Sequence, residues 1–372
     1  MVSLPQMLTG FQRLPALWSS WRSGVNRVKA EDRYLLVRQL YVLHRAGVPL
    51  LSSLSALEAQ VPAGVLKRTL RVMSQDLLGG STLSQAFAHH PRSFDPLFIG
   101  LIKTGEAGGL LEEVLKRVAD LTEWELELNA KIKQALQYPA IVLATLLAAL
   151  SIMVVFVLPR FAQFFGSLAI PLPIQTRLVL AFTWLITHYG WLLGLGLVGG
   201  IVAWYSALQT DRGRLWWHTR LLRLPIFGPL FLQLGMSRFA RTVSVLNASG
   251  LPMLETLALA GQTINNSYIQ SGLTKVAERV RSGQTLAKAL SVDGLFPPIV
   301  IQMVGTGEET GRIDELLQHV ADYYDQQATF LIRKLMTYLE PALLILVGCG
   351  VLLMATAVLI PMWDLVKVFQ TT

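Results

Sequence analysis

Three long apolar runs set the first limit on what this chain can fold into. Pro139 to Leu158 reads PAIVLATLLAALSIMVVFVL, and Pro341 to Ile360 reads PALLILVGCGVLLMATAVLI. Neither contains an Asp, Glu, Lys, Arg or His. Leu178 to Tyr205 is longer and holds His188 alone from that set. A helix of twenty residues spans about 30 Å, the thickness of a bilayer's hydrocarbon core. Three such runs in one chain predict three transmembrane helices. Only 15% of the residues are charged and 52% are hydrophobic, which excludes a disordered chain, collagen and a coiled-coil rod. The single Cys349 excludes a disulfide framework and Cys-rich metal clusters.

The net charge of +8 fits either nucleic acid or an anionic membrane, and its distribution decides. Lys131, Lys133, Arg212, Arg214, Arg220, Arg223, Arg333 and Lys334 flank the apolar runs on one side; Arg160, Arg177 and Lys367 flank them on the other. By the positive-inside rule the two large polar regions are cytoplasmic, and the positive charge faces lipid headgroups. No nucleic-acid partner is expected. The first thirty residues lack the clean apolar core of a signal peptide. Leu4, Met7, Leu8, Phe11, Leu14, Trp18 and Trp21 fall near helical spacing beside Arg13, Arg22 and Arg27. Two readings stand for them: a short amphipathic surface segment interrupted by Pro5 and Pro15, or a frayed terminus.

The sequence is also written twice. Gly47-Val-Pro-Leu-Leu aligns with Gly250-Leu-Pro-Met-Leu, and Gly80-Ser-Thr-Leu with Gly283-Gln-Thr-Leu, both at an offset of 203. After a one-residue slip, Thr104-Gly-Glu-Ala-Gly-Gly aligns with Thr306-Gly-Glu-Glu-Thr-Gly. From Phe94/Phe296 to Asp120/Asp322, 12 of 27 positions are identical. Each copy is a polar region followed by one apolar run. Two direct repeats that start on the same side need a return crossing between them, and the run 178–205 supplies it.

Each polar region reads as helical. Leu110, Leu111, Val114, Leu115, Val118 and Leu121 recur every three or four residues, as do Ile313, Leu316, Leu317, Val320 and Tyr324. Thr82 with Gln85 forms a capping box, of which copy two keeps only half because Lys288 replaces the Gln. The expected fold is an all-α membrane protein with two tandemly repeated cytoplasmic helical bundles and three transmembrane helices. Its segments are an N-terminal piece (1–30), repeat 1 (31–138), a span (139–158), a periplasmic loop (159–177), a second span (178–205), repeat 2 (206–340), a third span (341–360) and a periplasmic tail (361–372). Pro139 and Pro341 open the spans, as candidate hinges that kink or break the helix or as ordinary first helical residues.

Catalytic constellations are missing. The six His are scattered, without HExxH or a Cys partner. His89-His90 reads as a loop pair and Cys349 as span packing. Gly194-Leu-Gly-Leu-Val-Gly199 matches GxGxxG inside an apolar run, where small-residue helix packing explains it better. Gly305 to Arg312 lacks the Lys-Ser/Thr of a phosphate loop. No enzyme activity, cofactor or metal site is predicted. The doubled Thr-Gly-Glu element carries the candidate site: Gly105, Glu106 and Glu113 in copy one, Gly307, Glu308 and Glu315 in copy two, with Glu112 matching Asp314. Two readings stand. Carboxylates in a first helical turn complement the helix dipole while the glycines supply an unusual backbone angle, or the cluster is a surface that docks a partner or binds an ion. A small-molecule transporter subunit is the alternative function, although its spans would be expected to carry ionisable residues along the substrate path.

These residues resemble a known family, the polytopic inner-membrane platform proteins of bacterial type II secretion and type IV pilus assembly. The resemblance rests on the doubled Gly-x-Pro-(Leu/Met)-Leu, the doubled Gly-x-Thr-Leu and the doubled Thr-Gly-Glu-x-x-Gly. Pro159-Arg-Phe, Pro173-Ile-Gln-Thr and Ile360-Pro361-Met add to it, and it covers roughly residues 33–365. Many members carry a longer cytoplasmic segment before the first repeat than the thirty or so residues found here, so contacts of that segment are not carried over. The resemblance implies a non-enzymatic platform in the bacterial inner membrane, with a cytoplasmic N-terminus and a periplasmic C-terminus. It further implies homo-oligomerisation, a cytoplasmic hexameric assembly ATPase, pilin or pseudopilin subunits and other inner-membrane assembly proteins as partners, and no cofactor.

Overall fold

A computed structural model describes residues 27–153 and 202–370 except Ile226, together with Phe156, Arg160, Tyr189, Leu192, Leu195, Gly196 and residues 198–200. Residues 1–26 of the N-terminal piece, the loop 159–177 apart from Arg160, and 17 of the 28 residues of the expected middle span therefore lie outside the described residues. The rest is helical, with no strand among the described residues. Copy one runs α1 (Ala30–Arg45), α2 (Leu50–Gln60), α3 (Val65–Leu78), α4 (Leu83–Ala88), α5 (Pro96–Gly108) and α6 (Leu111–Ile152). After α7 (Asp211–Leu222), copy two repeats the order as α8 (Phe227–Ala248), α9 (Met253–Thr263), α10 (Ser267–Arg281), α11 (Leu286–Ser291), α12 (Pro298–Thr310) and α13 (Ile313–Gln370).

Local chemistry explains the punctuation. Gly47 and Gly250, Gly80 and Gly283, and Gly109 and Gly311 all take positive φ at matching turns, where a Cβ would be strained. The one-residue slip falls between α11 and α12, whose loop (292–297) is one residue shorter than its counterpart (89–95). Thr82 and Gln85 cap α4 reciprocally, while Thr285 keeps only its half, accepting from Lys288 N. Asp95 caps α5 by accepting from Phe98 N at 2.8 Å.

The bundle core of copy one centres on Phe87, Phe94 and Phe98, whose ring centroids lie 4.6 to 5.0 Å apart. Val114, Leu115, Val118 and Leu121 of α6 are buried against it, as the periodicity requires. Leu110 is exposed, because it belongs to the turn before α6. In copy two only Phe296 keeps its ring, and it packs on Phe239 of α8 at 5.3 Å. Leu246 and Leu251 of copy two are built into the core cluster of copy one.

Of the described residues, 27–130 and 233–325 accordingly form one compact unit that contains both bundles. A polar cluster ties them inside it. Trp124 Nε1 donates to Asp325 Oδ2 at 2.7 Å, and Arg241 donates to the same oxygen at 2.6 Å and to Asp322 at 2.8 Å. Ser237 Oγ donates to the other Asp325 oxygen. The Arg241 guanidinium lies 5.1 Å from the centre of the Trp124 ring, in cation–π range. Arg117 of α6 also reaches Ser249 Oγ at the end of α8, at 3.0 Å.

The second unit comprises the described residues within 131–232 and 326–370. Among the described residues two helices, α6 and α13, are long and apolar enough to cross a membrane. Ile141, Leu147, Ile152, Leu344, Ile345 and Leu352 are each more than half exposed. In water each would forfeit about 1.5–3 kcal/mol of burial; in hydrocarbon they would not. The two helices meet where Gly350 faces Leu146, and a Cβ on Gly350 would stand 2.9 Å from Leu146 Cδ1. Such close approach through a small residue is common in membrane helices.

Two expectations change here. Pro139 and Pro341 neither break nor start a helix: α6 and α13 run unbroken through both, and α13 continues to Gln370. Each proline removes one backbone bond from a continuous rod, which leaves a kink as the surviving form of the hinge. Cys349 is exposed, so no helix among the described residues packs over it.

Replacing Trp124 by Phe keeps a ring and deletes the donor to Asp325. Chemical denaturation in detergent should show a loss of about 1.5–3 kcal/mol. Asp325→Ala should lose at least as much, and the double variant should fall short of the sum.

Candidate functional site

Gly105 and Glu106 sit in the last turns of α5, and Gly307 and Glu308 in those of α12, one helix earlier than a first-turn role requires. The first turns of α6 and α13 instead carry Glu112 and Glu113, and Asp314 and Glu315. No unusual backbone angle exists at Gly105 or Gly307; the left-handed residues are Gly109 and Gly311, just past each helix. Both expected glycines serve close packing. A Cβ on Gly105 would stand 2.8 Å from Val114 Cβ, and one on Gly307 would stand 2.8 Å from Ile313 Cα.

The glutamates face inward. Glu106 Oε1 accepts from Leu83 N at 2.5 Å, and Oε2 accepts from Ser84 N at 3.1 Å and from Ser84 Oγ at 2.5 Å. Glu308 accepts from Leu286 N at 2.6 Å and from Ala287 N at 2.9 Å. Each carboxylate thus takes the unsatisfied N–H groups that open α4 or α11, and it complements the positive end of that short helix. Gly-x-Thr-Leu and Thr-Gly-Glu are therefore two halves of one clamp, made once in each copy. Thr82 or Thr285 caps the helix from its own side, and the glutamate caps it from across the bundle.

Glu113 and Glu315 differ. Their side chains are about half exposed (53% and 54%) and pair with the near neighbours Arg117 and Arg312, each at 2.6 Å. That pairing pushes the Arg312 pKa up. Among the described residues no three of His, Cys, Asp and Glu converge as a metal set.

Sequence reasoning passed over one doubled pair and one undoubled cluster. Arg38–Asp120 (3.5 Å) and Arg241–Asp322 (2.8 Å) are the same contact at the two offsets, so the repeat alignment held the signal. Trp124 and Asp325 align with Gln326 and Glu123, and nothing in the repeat marks them. Nearby, burial raises the pKa of Glu125 against the pull of Arg33, which donates to it at 3.2 Å. Burial, with a smaller contribution from Tyr323, pushes Tyr324 up to about 12.

Comparison with known proteins gives this arrangement a family. The family model for type II secretion system (T2SS) protein F matches the chain twice, over residues 36–159 and 239–361. Each match takes in one bundle and the apolar half of the helix leaving it. The chain belongs to this family. It is 33% identical to the type II secretion system protein F of Aeromonas hydrophila over 332 residues, 89% of this chain and 85% of that protein. It is 30% identical to the type IV pilus assembly protein PilC of Myxococcus xanthus, covering 87% and 78% of the two chains. It is also 30% identical to PilC of Pseudomonas aeruginosa, covering 91% of each. The family thus joins type II secretion to type IV pilus assembly, and the two apolar helices fit an inner-membrane protein.

Glu106→Ala and Glu308→Ala should each lower unfolding free energy by about 1.5–3 kcal/mol. Copy one should suffer more, since Ser84 adds a hydroxyl that Ala287 lacks. Gly105→Ala should cost about 1–3 kcal/mol through overpacking against Val114. Denaturant titration of the detergent-solubilised chain reads all three.

Proposed function

We propose that this protein is the non-enzymatic inner-membrane platform of a type II secretion or type IV pilus machine, coupling a cytoplasmic hexameric ATPase to the assembly of pilin or pseudopilin subunits into a fibre. The observation that carries the reading is the doubled match to the secretion family, each half of which holds a helix running unbroken from a bundle core into an apolar stretch. A displacement of the bundle would reach the apolar segment through α6 and α13 without crossing a loop.

In this reading both bundles lie in the cytoplasm, 139–158, 178–205 and 341–360 cross the membrane, and 159–177 and the C-terminal residues face the periplasm. The charge bias around the apolar runs supports that orientation. The chain works as a homo-oligomer beside other inner-membrane assembly proteins. Glu106, Glu308, Gly105 and Gly307 shape the bundle, while Glu113 and Glu315, half exposed on the first turns of α6 and α13, offer the docking charge. Pro139 and Pro341 act as compliant points within the two rods.

Deleting the gene should abolish fibre assembly while the pilin subunits still accumulate in the membrane. Fibres that persist, with solute uptake lost instead, would return the transporter reading. Glu113→Lys with Glu315→Lys should reduce ATPase co-purification and fibre yield without changing the melting temperature. Pro139→Ala with Pro341→Ala should lower fibre yield while ATPase capture stays intact. Wild-type assembly in either variant removes that assignment.

A further inference from the structure

The two copies diverge where α4 and α11 give way to the loops before α5 and α12. In copy one an open cavity of about 340 Å³ lies between α3 and that loop, lined by Arg68, Thr69, His89, His90 and Arg92 among others. The size is in the range of small-ligand sites. In copy two Gly272 stands at the position of Thr69, and a Cβ there would collide with the side chain of Leu295. Leu295 thus occupies the space that copy one leaves open. The placement of charge differs as well, with Lys275 standing where the copy-one cavity has Val72 and facing Asp293. Ser271 replaces Arg68, and the shorter loop Val292-Asp293-Gly294-Leu295 has no basic residue. Even the tie across this edge changes sign: Asp76 holds His89 at 2.8 Å in copy one, and Arg279 holds Asp293 at 3.1 Å in copy two.

What lines the open version is unsatisfied. Neither Arg68 nor Arg92 has an acidic partner among the described residues, and His90 Nε2 is buried with no hydrogen-bond partner. Asp76 is committed to His89. Burial holds the His90 pKa below its ordinary value, with His89 adding to this and Asp76 opposing it. A neutral imidazole can carry its proton on Nε2 and donate it. The chain enters beside this cavity, where Val28 N donates to Ser93 Oγ at 3.1 Å. Residues 1–30 contain no Asp or Glu, so that stretch cannot supply the missing negative charge.

We propose that this cavity is an oxyanion site of the phosphate class, gripped by Arg68 and Arg92 and receiving a hydrogen bond from His90 Nε2. Guanidinium forks match phosphate oxygens better than any other side chain. The volume leaves room for part of the ester that carries the phosphate, either a soluble phosphate ester or a lipid headgroup. The site belongs to copy one alone, so it gives a doubled protein one anion-responsive face.

The test uses the full chain. In detergent, calorimetric titration with pyrophosphate should show binding that Arg68→Gln with Arg92→Gln weakens at least tenfold. Arg71→Gln, which alters an arginine already paired with Glu58, should leave it unchanged. Thr69→Gly with Arg92→Leu imitates the plugged copy and should also remove binding. The arginine-to-glutamine variants should keep the wild-type melting temperature, since those arginines are exposed, whereas Thr69→Gly removes a buried side chain inside α3 and should lower it. In phosphatidylcholine nanodiscs doped with phosphatidic acid, native mass spectrometry reads headgroup retention. Pyrophosphate binding without lipid retention assigns a soluble ester, and lipid retention alone assigns a headgroup; either supports the site. No binding in both arms, binding that survives the double arginine substitution, or capture of an acidic peptide without any phosphate binding overturns it.

Discussion

The carboxylate of Asp325 joins two copies of one sequence into one body. Trp124 comes to it from copy one, and Arg241 and Ser237 come from copy two. Around it the cores are continuous, with Leu246 and Leu251 completing the apolar cluster of the first bundle. Removing one member of such a partly buried charge network strands the others, which is why these clusters resist piecemeal change. A duplication could have produced two independent bundles on a string. Here the copies seal each other, and the unit they form carries both helices that extend into apolar segments.

The paired motifs acquire a physical meaning from the same structure. A six-residue helix such as α4 or α11 is too short to be stable by itself, and its opening N–H groups need acceptors. Glu106 and Glu308 provide them from a helix more than twenty residues further along the chain. Gly105 and Gly307 allow that helix to lie close enough to the next one. The clamp is retained in both copies, whereas the neighbouring loop is free to diverge: one copy left an open, basic cavity and the other filled it with Leu295. Shared packing constraints and local freedom coexist within a few residues.

Much of this was legible in the sequence. The offsets of 203 and 202 reappear as matched helices and matched positive-φ glycines, because turns and apolar periodicity are local properties. The capping box at Thr82 and its half-lost twin at Thr285 were readable for the same reason. The role of Glu106 was not, since an acidic residue near a helix junction is compatible with a first turn or with a last one, and only tertiary packing separates them. The prolines misled through propensity: a long helix already propagated on both sides absorbs one missing bond. Trp124 and Asp325 were invisible because their partners lie in the other copy and their own positions are not repeated.

If the two bundles are one body, they share one side of the membrane, and the chain must cross back between its two outgoing helices. Single cysteines at Leu78 and Val292, both exposed on the bundle unit, placed in a Cys349→Ser background, test this directly with a membrane-impermeant maleimide. Both positions should stay unlabelled in intact spheroplasts and react together after lysis. Labelling of one position from outside while the other remains protected would contradict the joined unit and everything built on it.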